Sequence, residues 1–322
     1  MGMDLKQLTA LLAVAEHGSF SAAARAIHTV QSNVSTHVAR LEKELGVLLV
    51  DRSSGGLTEE GEAAVARARR IRTELEALQS DVAALRAEVV GHVRVGMIGS
   101  IARWLAPSLL AGMQERHPGV ELVIVDATTT SLLPQLLEGS LDLAVVNLPV
   151  ADPEIGAEVL FAEERILVVP GGHDLAFDDR DETEVADEVT FVRLAEHRLI
   201  LEPKGTAFRD ELDRVAAEAG VELHPLAEVD GMMLVASLAF GGFGPAILPT
   251  TATLEEPPGD WLRVHVPELL HRDVGLARRR SGRLAAPARA LRELLHELVA
   301  AEAPRHPGVD LPGAGVAASP TA

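Results

Sequence analysis

Between Gly18 and Arg52 the chain reads GSFSAAARAIHTVQSNVSTHVARLEKELGVLLVDR, and this run allows few local folds. Ser21 to Ile27 is alanine-rich and reads as a short helix with Ser21 at its N-cap. His28-Thr29-Val30 interrupts it, and a second helix is predicted from Gln31 to Leu45. Val34, Val38, Leu41 and Leu45 fall at spacings of three and four, so one face of that helix packs inward. The other face carries Gln31, Ser32, Asn33, Ser35, Thr36 and Arg40, groups suited to base edges and phosphates. Gly46 supplies the left-handed residue that stops the helix. Leu48 to Arg52 reads as a strand, Ser53 to Gly56 as a tight turn and Leu57-Thr58 as the return, which makes a small wing. The pattern is that of a winged helix-turn-helix, with Arg40 and Arg52 as its phosphate-binding candidates.

Ala23-Ala24, Ile27, Gln31, Ser35, Leu41-Glu42, Leu45-Gly46, Arg52 and Leu57-Thr58-x-x-Gly61 together resemble the signature of the LysR-type transcriptional regulators. Where such regulators commonly place Ser or Thr before the glutamine, this chain has Val30, so Thr29 is expected to cap the helix. The resemblance extends from residue 3 to about 302. It implies a homodimer or homotetramer that binds an interrupted inverted repeat in double-stranded DNA and answers a small-molecule effector by changing the bend of the promoter. RNA polymerase is a candidate further partner.

A chain of 322 residues has room for two or more domains. No apolar run reaches membrane-spanning length, and no basic segment followed by an apolar core opens the chain, so a cytoplasmic protein with no membrane partner is expected. The absence of cysteine excludes disulfides, thiolate catalysis and cysteine-based redox sensing. The 12 histidines never fall three or four apart, so no helical metal pair is expected, nor any cofactor. Net charge is −19. Residues 1–65 hold five basic side chains (Lys6, Arg25, Arg40, Lys43, Arg52) against eight acidic ones, a local net of −3. Phosphate neutralisation dominates DNA affinity, so a single head is expected to bind weakly.

Asp4 to His17 reads as a helix ahead of the motif. After it, a long helix is expected from Thr58 to about Val90. Ala64, Ala68, Ile71, Leu75, Leu78, Val82, Leu85 and Val89 alternate along it at spacings of four and three, a heptad seam that a partner helix would bury. From Gly91 strands and helices alternate, indicating an α/β domain with a largely parallel sheet, and Leu141 to Val146 resembles the effector-binding domain of the same family. The expected division is a DNA-binding domain at 1–62, a dimerisation linker helix at 63–90 and a two-lobed α/β effector domain at 91–303. Lobe I takes about 91–162 and 268–303, lobe II about 163–267. Residues 304–322, rich in Pro, Gly and Ala, read as a disordered tail.

Gly242-Phe243-Gly244 lacks the third glycine of a nucleotide loop and leads into an apolar strand, so it reads as a turn. Glu163-Glu164 and Asp178-Asp179 read as solvated loop carboxylates. Nothing in these patterns argues for an enzyme. Hydroxyls and amides at strand ends are more informative, because loops at the carboxyl ends of parallel strands surround the ligand crevice. Ser100 and Ile101, Thr129 and Thr130, Asn147, Thr206 and Phe208 are the effector-binding candidates. Free N–H groups at helix starts suit a carboxylate, so a small anionic effector is expected. Two other readings stay open: a solute-binding protein or enzyme built on residues 91–303, and a regulator that acts without effector.

Overall fold

The computed structural model describes residues 2–51, 56–85, 88–177, 188–254, 259–269 and 271–312. Two compact units emerge, one of residues 1–79 with 138–140, the other of 80–137 with 141–322.

In the first unit, α1 (Leu5–His17), α2 (Phe20–Ala26) and α3 (Gln31–Leu45) pack around Leu11, Val14, Val34, Val38 and Leu41. Asp4 caps α1 in a capping box with Gln7, and Gly18 closes it in the left-handed conformation. The N-cap of α2 is Ser19 rather than Ser21. The Ser19 hydroxyl accepts from the Ala22 N–H at 3.2 Å, whereas Ser21 receives Arg25 one turn on. α3 ends at Gly46 with φ 77°. Leu45, expected inside, is 43% exposed because the helix turns it outward before the chain reverses. Glu42, by contrast, is buried and accepts the Leu49 and Val50 N–H groups at 3.0 and 3.3 Å. That carboxylate fixes the exit of the chain into the wing, where Val50 and Leu57 form a single antiparallel bridge. Arg52 to Gly55 lie outside the described residues.

α4 (Glu59–Ala84) is a long helix that stops short of the expected Val90. Its first turns serve the head itself: Val65 and Ala68 are buried in the head core, with Ala64 packed against it. Ala68 therefore drops out of the partner-facing seam. Ile71, Leu75, Leu78, Val82 and Leu85 continue the same row and are all exposed.

The second unit contains β1 (Gly91–Met97), α5 (Gly99–Arg116), β2 (Val120–Asp126), α6 (Thr129–Glu138), β3 (Leu143–Asn147) and β4 (Ile155–Glu163). There follow β5 (Arg165–Pro170), α7 (Phe191–Ala195), β6 (Arg198–Leu201), α8 (Ala207–Glu218), β7 (His224–Glu228) and α9 (Met232–Phe240). β8 (Ala246–Pro249), β9 (Trp261–Val264), β10 (Arg272–Arg279), α10 (Ala286–Glu302) and β11 (Val309–Asp310) complete it. Lobe I is a six-stranded sheet in the order β11-β4-β10-β3-β1-β2. Only β1 pairs in parallel, with β2 and β3; β10 and β11 add antiparallel pairs, so the sheet is mixed rather than largely parallel. Lobe II holds an antiparallel β8-β5-β9 sheet and a parallel β6-β7 pair. Each lobe has its own apolar core, one around Met97, Leu105, Val145, Phe161 and Leu291, the other around Val168, Phe191, Leu199, Leu212 and Leu248.

The expected tail is partly structured. Residues 303–305 form a 3-10 turn, and β11 adds an edge strand to β4 because Val309 finds a buried seat on lobe I. Residues 313–322 lie outside the described residues. On the other side of β4, Arg292 grips Glu158 through two hydrogen bonds of 2.8 Å, and His296 adds a third contact at 3.1 Å. Arg292, aided by His296, holds the Glu158 carboxyl down at about 2. A depressed carboxylate contributes stability above its ordinary pKa and loses it as pH falls through the folded value. The thermal midpoint should therefore carry a contribution from this site that fades between about pH 4.5 and pH 2. Glu158 is half-exposed, so the effect stays under about 1 kcal/mol. Glu158→Gln should flatten that part of the acid limb in a midpoint-against-pH series, and an unchanged limb would remove the pair from the account.

Candidate functional site

The first candidate surface is the start of α3. Gln31, Ser32, Asn33, Thr36 and Arg40 are exposed on one side of the helix, while Val34, Val38 and Leu41 anchor the other; Ser35 is half-buried. Val30 is the N-cap and makes no side-chain cap. Thr29 does not replace it, because its hydroxyl instead accepts from the Asn33 amide at 3.0 Å. The first N–H groups of α3 are thus left uncapped by side chains, a suitable seat for a phosphate oxygen. The turn from α2 is made by His28, in the left-handed region at φ 54°, with the Thr29 N–H reaching the Ala24 carbonyl at 2.8 Å. The Thr36 hydroxyl donates back to the Ser32 carbonyl at 2.7 Å. Arg52 lies outside the described residues.

The second candidate is a cavity of about 460 Å³ between the lobes of the second unit. Lobe I contributes the start of α5 (Gly99, Ser100), the β2–α6 junction (Asp126, Thr128, Thr129, Ser131) and Asn147. Lobe II contributes Glu202, Thr206, Phe208, Asp230, Met232 and Met233. Five of the seven sequence candidates meet here: Ser100, Thr129, Asn147, Thr206 and Phe208. Ile101 does not, since one residue's rotation along α5 turns it fully into the lobe I core. Thr130 is also absent from the lining. α6 begins at Thr129, which swings Thr130 outward to within 3.0 Å of the Thr128 hydroxyl. Thr206 is the N-cap of α8 and accepts the Arg209 N–H at 3.3 Å. Thr129 accepts the Asn147 N–H at 3.1 Å, joining β3 to the start of α6.

Sequence reasoning missed the charged residues that organise this cavity. Glu163, read as a solvated loop carboxylate, is fully buried at the end of β4. It receives Arg272 at 2.8 Å through Nε and 2.7 Å through Nη2, and the Thr251 N–H at 2.8 Å. Arg272, 4% exposed at the first residue of β10, also donates to Asn147 Oδ1 and Ser100 Oγ, each at 3.1 Å. Its guanidinium lies 5.8 Å from the Phe208 ring centroid, and that of Arg165 lies at 5.5 Å. Arg165 is itself buried and paired with Glu211; burial pulls its pKa down. Burial raises the carboxyls of Glu202 and Asp126, the former despite a hydrogen bond from Thr206. A signal for Arg272 was present: an arginine opening a strand that returns between lobes. Its partner Glu163 lies 109 residues away, beyond any local pattern.

Residues 5–62 match the family described as "Bacterial regulatory helix-turn-helix protein, lysR family", and residues 86–300 match "LysR substrate binding domain". A "Probable hydrogen peroxide-inducible genes activator" of Streptomyces viridosporus is 35% identical over 79% of this chain and 80% of its own length. The HTH-type transcriptional regulator ShiR of Corynebacterium glutamicum is 34% identical over 84% of this chain and 89% of its own. Among solved structures, a full-length OxyR variant from Pseudomonas aeruginosa superposes with a TM-score of 0.69 at 23% identity, covering 93% of this chain and 95% of that one. The LysR family regulator CbnR gives 0.64 at 22% identity, covering 92% and 99%. These two likenesses concern the fold. The helix-turn-helix head and the two-lobed domain that follows it in sequence place this chain in the LysR family of transcriptional regulators.

Proposed function

We propose that this regulator grips an interrupted inverted repeat as a homodimer or a dimer of dimers, and that a ligand held between its lobes alters the bend of the DNA. The exposed polar turn at the start of α3 carries the DNA-reading half of this view: Gln31, Ser32 and Asn33 stand where an inserted helix meets base edges. The exposed row from Ile71 to Leu85 supports a second copy as the partner of α4. The 460 Å³ cavity supports a small-molecule effector. Cytoplasmic action and the absence of an enzymatic role belong to the same reading; among the described residues no helix is long and apolar enough to cross a membrane.

The peroxide response in the names of several relatives cannot operate here through thiols, because this chain has no cysteine.

A gel shift with the DNA upstream of its own reading frame tests the assignment, combined with selection from a random oligonucleotide library. Gln31→Ala should bind DNA with relaxed preference at one base position, a loss of about 1–3 kcal/mol of discrimination, in a normally folded protein. An unchanged selected sequence would take Gln31 off the reading surface.

A further inference from the structure

We infer that the ligand of the interlobe cavity carries a protonated amine, held by the carboxylates of Glu202, Asp126 and Asp230. The inference rests on the cavity being the effector site and adds the chemical class of the effector.

Helix starts led to the expectation of an anion, yet a carboxylate already stands beside one of them. Asp126 sits at the start of α5, with Oδ1 only 3.3 Å from where a Cβ on Gly99 would lie. Among the described residues the one cation of the lining, Arg272, pairs with Glu163, which stands behind the cavity wall, donates to Asn147 and Ser100, and reaches Glu202 only through its field. Three carboxylates then face the cavity, and among the described residues no lysine or arginine forms an ion pair with any of them. Glu202 is only 7% exposed. Burial raises its pKa against the opposing effects of the Thr206 hydroxyl and the Arg272 charge.

A buried carboxylate whose desolvation outweighs the help of its neighbours, as at Glu202, is costly. An incoming ammonium offsets that cost through charge-assisted hydrogen bonds, while an incoming carboxylate adds to the repulsion. The rest of the lining suits the stem of such a ligand: Phe208, Met232 and Met233 form apolar wall opposite the hydroxyls of Ser100 and Thr128. A cavity of about 460 Å³ fits a small alkyl or aryl amine.

Isothermal titration of the full chain with 1,4-diaminobutane and benzylamine, against succinate and benzoate, tests the class. The amines should bind saturably and the carboxylates should not. Glu202→Gln keeps the side chain's shape and should weaken amine binding about tenfold or more. Asp230→Asn lies at an exposed position and supplies a second variant whose folding is not at risk. Binding of succinate or benzoate with the amines excluded overturns the inference. So does amine binding indifferent to both substitutions, or binding by neither class. A gel shift on operator DNA separates the two layers of the reading. A carboxylate that binds and changes operator occupancy overturns the amine class and keeps the effector role. An amine that binds and leaves operator occupancy unchanged keeps the class and sinks the role.

Discussion

Leu78→Glu should convert the protein to a monomer that no longer holds its full operator. Leu78 is 60% exposed, between Leu75 and Val82 on a row of apolar residues spaced by three and four. It contributes nothing to the head core, which ends its use of α4 at Ala68. The substitution therefore leaves the chain's own fold intact, as circular dichroism should confirm. In a paired seam it buries a carboxylate against leucine, costing about 3 kcal/mol or more, which is roughly a hundredfold in self-association. DNA binding should fall further than any local effect allows. With a net charge of −3 over residues 1–65 a single head has little to neutralise phosphates with, so occupancy depends on the effective concentration that tethering supplies. Analytical ultracentrifugation and operator gel shifts at several salt concentrations read both effects. A Leu78→Glu protein that sediments and binds like the parent would refute the seam.

Where short-range rules decide structure, the sequence was readable. α3 runs from Gln31 to Leu45 as its three-and-four spacing and Gly46 require, and five of seven cavity candidates were found because strand ends and helix starts converge on one crevice. The misses share a cause. Ser19 and Ser21 are equivalent as caps until the backbone at Ser19 is seen to be extended. β4 gives little local signal, because Ile155–Glu163 carries a glycine and two glutamates, poor strand formers that survive here because β10 and β11 flank the strand. Asp126, at the end of the neighbouring strand, lies beside the start of α5, a proximity that no local pattern shows. Long-range pairing of charge is invisible to a local reading, and it decides this cavity's character.

Severing the Glu163–Arg272 pair should be the most damaging change available in the second unit. The two residues lie at the end of β4 and the start of β10, strands that leave and re-enter lobe I. Each is almost wholly buried, and each has further partners: Thr251 for Glu163, Asn147 and Ser100 for Arg272. Glu163→Gln removes the negative charge and leaves a buried guanidinium without a counter-ion, at a cost of about 3–5 kcal/mol. Arg272→Met should cost a comparable amount by stranding the carboxylate, and it also strips two donors from the cavity wall. The double variant replaces both charges, so its loss should be well short of the sum. That pattern separates a mutually dependent pair from two residues that merely fill space, whose losses would add. Urea unfolding of the parent, both single variants and the double variant measures the cycle. Single losses below about 1 kcal/mol, or strict additivity, would show that neither charge depends on the other.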